Sequence, residues 1–182
     1  IMIPVSYDPA TVEARNATAV PAAMPLVPRG EAPRPAPAVP RRKVADDRDS
    51  SPDEKRILLV IEDDDTFAAI LRDLSREMGF RALVAGTAEE ALTLARQFIP
   101  SAIILDVGLP DQSGLAVLDR LKHDVATRHI PIHIVSAEDH EETALMLGAV
   151  GFELKPVKRE QLVEVLQKLE ARLSQRMHRV LI

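Results

Sequence analysis

The chain has 182 residues, no cysteine and a net charge of −5, which excludes disulfides and thiolate metal sites and argues against a nucleic-acid binder, whose footprint is a basic patch. The charge is uneven, with nine Lys/Arg against eight Asp/Glu in residues 1–56 and fourteen against twenty in residues 57–182. No apolar stretch approaches a membrane span and no secretion signal stands at the amino end, so this segment is expected to be cytoplasmic and to make no membrane contact of its own, even where a parent protein is membrane-anchored.

Ten of the fourteen prolines precede residue 57, many spaced by alanine as in Pro33-Arg34-Pro35-Ala36-Pro37. That composition has too few large apolar side chains to offset the entropy of ordering, so residues 1–54 are expected to form a disordered, semi-extended linker. Within it, Arg41-Arg42-Lys43 followed by Asp46, Asp47 and Asp49 reads as a solvated charge run.

From Lys55 onward short apolar runs alternate with longer amphipathic segments. The pattern predicts strands over about 56–61, 81–85, 101–106, 130–135 and 150–154, and helices over about 65–78, 87–98, 112–123, 138–147 and 157–176. Gly79 suits the end of the first helix and Thr87 the capped start of the second. Five such alternations imply an α/β domain, residues 55–176, with a parallel sheet covered on both faces. In the last helix Leu162, Leu166 and Leu169 are expected to pack on the sheet, whereas Leu173 and Met177 fall beyond it and are available to a neighbouring domain. Residues 177–182 then read as a further linker or the start of another domain.

The strand ends carry the chemistry. Ile57-Leu58-Leu59-Val60-Ile61 ends on Glu62-Asp63-Asp64-Asp65, and Ala102-Ile103-Ile104-Leu105 ends on Asp106. Strands this apolar are buried on both faces, so these acids emerge together at the carboxyl edge of the sheet, where open α/β folds place their ligands. Glu62, Asp63 and Asp106 side by side repel one another unless a cation lies among them, and Mg²⁺ is the hard, partly hydrated ion that suits a few carboxylates and a phosphoryl oxygen. The next two strands end on Ser136 and Lys155, a hydroxyl and an ammonium able to bind phosphoryl oxygens. The constellation reads as a metal-assisted phosphorylation site on Asp106.

Four motifs in this order, Ile57 through Asp63, Asp106-Val107-Gly108-Leu109-Pro110-Asp111-Gln112-Ser113-Gly114, Val135-Ser136-Ala137, and Gly148-Ala149 through Lys155-Pro156, make residues 55 to 175 resemble the receiver domain of two-component response regulators and hybrid sensor kinases. The resemblance implies a flavodoxin-like, doubly wound (βα)5 fold with sheet order 2-1-3-4-5. It also implies Asp106 as phosphoacceptor, Glu62, Asp63, Asp106 and the backbone carbonyl of Val107 as Mg²⁺ ligands, and Ser136, Phe152 and Lys155 as the switch and phosphoryl-binding residues. Gly108 and Glu138 occupy positions that tune phosphoryl lifetime in the family. The distance from Ser136 to Lys155 is short for the family, which implies a fourth helix of only about two turns.

The partners implied are a histidine kinase or phosphotransfer protein carrying phosphohistidine, and neighbouring domains of the same chain. Ile1-Met2-Ile3-Pro4 resembles the closing strand of a kinase ATPase domain and Arg179-Val180-Leu181-Ile182 echoes Arg56-Ile57-Leu58-Leu59, so a hybrid kinase parent is expected. By itself the domain is a phosphoacceptor and not an enzyme. Two alternatives stay open: a degenerate receiver that serves only as an interaction module, and an aspartate-nucleophile phosphatase of the haloacid dehalogenase type. The second wants an acid two residues after the nucleophile, where this chain has Gly108.

Overall fold

Every position of β1 (Ile57–Ile61) is apolar because the strand lies in the middle of a parallel sheet and has no solvent face. The computed structural model describes residues 44–50 and 56–180, with 176–180 by backbone alone. Expectations for residues 1–43, 51–55, 181 and 182, and for the Met177 side chain, lie outside the described residues.

After β1 the chain alternates through α1 (Asp65–Glu77), β2 (Arg81–Ala85), α2 (Ala88–Phe98), β3 (Ala102–Leu105), α3 (Gly114–His123), β4 (Ile132–Ser136), α4 (Glu141–Met146), β5 (Gly151–Leu154) and α5 (Arg159–Val180). All four strand pairings are parallel and the order is β2-β1-β3-β4-β5. Strand periodicity divides the core in two. Leu59, Ile61, Ile103, Leu105 and Ile134 face α2, α3 and α4. Leu58, Val60, Ile104 and Val135 face α1 and α5, where Leu162, Val165, Leu166 and Leu169 are almost fully buried.

Helix α4 has six residues, in line with the short spacing noted above. It begins at Glu141 rather than near 138 because the Ser136 hydroxyl takes the Glu138 N–H and the Asp139 carboxylate takes the Glu141 N–H, local bonds that compete with helix formation. Leu173 is partly buried against the α1/α5 core.

The clearest departure from the sequence reading is at the amino side, where the linker expectation does not hold for residues 44–50. Strand β2 is an edge strand, and the outward amides and carbonyls of Ala82 and Val84 have no neighbouring strand. The Asp47 carboxylate accepts the Ala82 N–H at 2.9 Å, and the Asp47 N–H donates to the Ala82 carbonyl at 3.0 Å. Two residues along, the Asp46 carboxylate accepts the Val84 N–H and the Arg48 guanidinium donates to the Val84 carbonyl, each at 2.9 Å. One short strap thus satisfies all four outward groups and closes an edge that would otherwise invite pairing with another chain.

The strap is locked from both sides. Arg48 pairs with Asp46 and Glu90, Arg76 pairs with Asp47, and Arg81 donates to the carbonyls of Asp47 and Arg48. Val44 packs against the α1/α5 core. Asp46 and Asp47 are therefore anchors and not a solvated charge run, and the Asp46 side chain is only 3% exposed.

Replacing Asp46 by Ala leaves the Val84 N–H without its acceptor and Arg48 with Glu90 as its remaining carboxylate. The expected result is a loss of about 1–3 kcal/mol in chemical denaturation, with faster hydrogen exchange at the Val84 amide and unchanged exchange in β3. Burial works against the charged form of Asp46, but Arg48 and backbone donors hold its carboxyl below the ordinary value of 3.8, and Arg76 does the same for Asp47. The strap's contribution is therefore complete above that value and is lost as pH falls below it.

Candidate functional site

The register brings the candidate residues to one edge. Ile61 pairs with Leu105 and the Asp106 N–H donates to the Ile61 carbonyl at 2.9 Å, so Glu62 and Asp106 leave their strands side by side. On the other flank Ser136 pairs with Leu154, and the Lys155 N–H donates to the Ser136 carbonyl at 2.7 Å. Four strand ends therefore converge on one cleft.

There the Lys155 ammonium donates to Glu62 Oε1 at 3.1 Å, to Glu62 Oε2 at 2.9 Å and to Asp106 Oδ2 at 2.8 Å. Glu62 and Asp106 are buried, while Asp63 is exposed at the mouth. One carboxylate oxygen from each of Glu62, Asp63 and Asp106 lies within 4.8 Å of the other two. Burial pushes the Glu62 carboxyl up to about 7; Lys155 pulls it down and the charge of Asp106 pushes it up again. Lys155 is held above its ordinary value by Asp106 and Glu62 even though burial works against its charge. Three acids against one ammonium leave a negative, oxygen-lined cleft whose donor chemistry fits a hard divalent cation.

Asp64 stands apart from this trio. Its carboxylate caps α1, accepting the N–H groups of Thr66 at 2.8 Å and Phe67 at 3.0 Å. Ser136 is buried, and its hydroxyl accepts the Glu138 N–H at 3.1 Å. Glu138 itself is exposed and pairs with His140. The Gly108 N–H donates to Asp106 Oδ1 at 3.2 Å. Phe152 is half-buried against the core on the α3/α4 side.

Val107 follows Asp106 into a tight turn. Its carbonyl already accepts the N–H groups of Leu109 at 3.1 Å and Gly114 at 2.8 Å, which use both lone pairs inside the turn. A Cβ on Gly114 would fall on the Asp106 carbonyl oxygen, so glycine is what allows α3 to start so close beneath Asp106.

Three contributions escaped the sequence reading. Asp111, in the loop after Asp106, caps α2 by accepting the N–H groups of Ala88 and Glu89, which ties the Asp106 loop to a neighbouring helix. The Asp64 cap was readable in principle from the acidic run before an amphipathic helix. Phe67, three residues after that cap, places its ring centroid 4.7 Å from the Lys155 Nζ; an aromatic in the first helical turn after the acids was the available signal.

Among the described residues no helix is long and apolar enough to cross a membrane. The family description of the response regulator receiver domain matches residues 58–167. The polar-differentiation response regulator DivK of Brucella ovis is 32% identical over 113 residues, spanning 60% of this chain and 92% of that protein. Among solved structures, a putative response regulator from Chloroflexus aurantiacus is 29% identical with a TM-score of 0.60, covering 64% of this chain and 98% of that one. The receiver domain of a Pseudomonas aeruginosa sensor histidine kinase, solved with a magnesium ion coordinated in its active-site cleft, shares the fold at 24% identity, covering 63% of this chain and 97% of that one, with a TM-score of 0.58.

Proposed function

The chain belongs to the response regulator receiver domain family, and from that premise we propose that Asp106 is the residue that accepts a phosphoryl group from a phosphohistidine. The observation that carries the reading is the convergence of Asp106 with Glu62, Asp63 and Lys155 at one sheet edge, with Lys155 bonded directly to Asp106. An Asp106 carboxylate oxygen attacks phosphorus in line. As that O–P bond forms, the P–N bond to the donor imidazole breaks and its electron pair leaves with the nitrogen, giving an acyl phosphate on Asp106. No base is needed, because a carboxylate nucleophile has no proton to give up and the work is positioning and charge stabilisation.

Glu62, Asp63 and Asp106 would hold Mg²⁺, which when bound supplies positive charge to the phosphoryl oxygens. The Lys155 ammonium, freed from part of its pairing with Glu62, binds a phosphoryl oxygen. Ser136, whose hydroxyl lies one strand over from Asp106, offers a second donor, and Phe152 follows it on the neighbouring strand as the switch aromatic. Gly108 and Glu138, two residues after Asp106 and Ser136, occupy the positions at which the family tunes the lifetime of the acyl phosphate. The donor is a histidine kinase or phosphotransfer protein, and neighbouring domains of the same chain read the switch. Every group a phosphoacceptor requires is present, which speaks against a purely structural module, and Gly108 in place of a second acid speaks against hydrolysis by a dehalogenase-type phosphatase.

Incubation of the full chain with acetyl phosphate and Mg²⁺ should add one phosphoryl mass, mapped to Asp106. Asp106→Asn should take up none, since an amide cannot form the acyl phosphate; full labelling of that variant would move the acceptor elsewhere.

The two adjacent aspartates should separate cleanly. Asp63→Ala is expected to weaken Mg²⁺ binding by tenfold or more, on the order of a lost carboxylate ligand, with little change in folding stability. Asp64→Ala should cost about 1 kcal/mol of stability as a lost helix cap and leave Mg²⁺ affinity nearly unchanged. Calorimetric titration and denaturation of both variants decide it, and equal losses of affinity would put Asp64 in the ligand set.

A further inference from the structure

The Lys155 ammonium has two kinds of neighbour. Three of its contacts are carboxylate oxygens of Glu62 and Asp106, and each must be shared or surrendered when a cation and a phosphoryl group arrive. The other is the ring of Phe67 at 4.7 Å from Nζ. An aromatic face attracts an ammonium through its quadrupole but binds neither metal nor phosphate. It is thus the partner that does not change hands during the reaction.

The ring is also well placed to stay where it is. Phe67 sits in the first turn of α1, its N–H bonded to the Asp64 cap at 3.0 Å, and its side chain is half-buried against the α1/α5 core. Lys155 follows β5 at the opposite flank of the cleft, with its side chain 22% exposed. A flexible four-carbon stem reaching across a partly open cleft loses rotamer entropy when it is held to one target. Phe67 lies beside the path of that reach.

We propose that Phe67 is a positioning residue for Lys155: its ring holds the ammonium over Asp106 while the carboxylates exchange Lys155 for metal and phosphoryl oxygen. The inference rests on the phosphoacceptor reading of Asp106. It predicts that the electrostatics of the ring, and not only its bulk, set the rate of phosphorylation.

The test uses the full chain, acetyl phosphate as donor and Mg²⁺. Phe67→Leu keeps an apolar side chain but removes the aromatic face, and should lower the maximal labelling rate by about 3- to 20-fold. Half-saturating donor concentration and Mg²⁺ affinity should stay near those of the parent chain, because the ring binds neither metal nor phosphate and the Phe67 N–H that bonds Asp64 is backbone and survives the substitution. Phe67→Tyr, which keeps the face, should restore the rate to within about twofold. Mono-, di- and trifluorophenylalanine placed at position 67 keep the shape while draining the ring's negative face, so the rate should fall stepwise along the series even if the leucine variant folds poorly. A flat rate across the fluorinated series, a leucine variant as fast as the parent, or a loss confined to donor half-saturation would each overturn the role given to Phe67. A parent chain that takes no label on Asp106 would instead defeat the phosphoacceptor reading itself.

Discussion

Two carboxylates buried at the end of a parallel sheet are the constraint on which the rest of this site turns. Glu62 and Asp106 cannot avoid each other, since the register of β1 and β3 places them side by side at the same edge. Charges of one sign in a partly desolvated cleft are tolerated only with a counter-charge. Among the described residues the cation bonded to both is Lys155, from the end of β5. Burial pushes the Glu62 carboxyl up to about 7, and the charge of Asp106 adds to that push in spite of the bonded ammonium. A site short of positive charge is prepared both for a divalent ion and for the electron-rich transfer it assists.

The surroundings of Asp106 serve to keep its carboxylate in place. Gly114 lets α3 start against the strand end, and its N–H holds the Val107 carbonyl in the turn. Asp111 fastens the same loop to α2, and the Gly108 amide steadies Asp106 Oδ1. On the other side of the cleft, Asp64 fixes the first turn of α1 and with it the position of Phe67. The acids are thus carried by strand ends and a capped helix, while Lys155 reaches them on a four-carbon stem.

Most of this was legible in the sequence because it rests on periodicity and on strand ends. Apolar runs such as 57–61 and 102–105 have a single reading in a five-fold alternation, and their last residues fall at the carboxyl edge whatever the loops do. Element limits moved where a side chain intervened: α3 starts at Gly114 because Ser113 caps it, and β4 starts at Ile132, with Ile130 held in a turn by Thr127. The strap over β2 left no such trace. Asp46, Asp47 and Arg48 act through carboxylate and guanidinium bonds to an edge backbone, which have no period and resemble linker composition. The Val107 carbonyl is a related case, since its direction in a tight turn is set by which amides reach it, and the sequence does not carry that.

The central claim is that Lys155 and a divalent cation compete for the same carboxylates, and thermal denaturation of Lys155→Met at pH 8, in chelator and in excess Mg²⁺, tests it most directly. With the ammonium gone, the chelated variant should melt below the parent, and Mg²⁺ should raise its midpoint by more than it raises the parent's, because the metal no longer displaces an existing partner. Equal magnesium increments in the two proteins would contradict the account and place the metal outside the reach of Lys155.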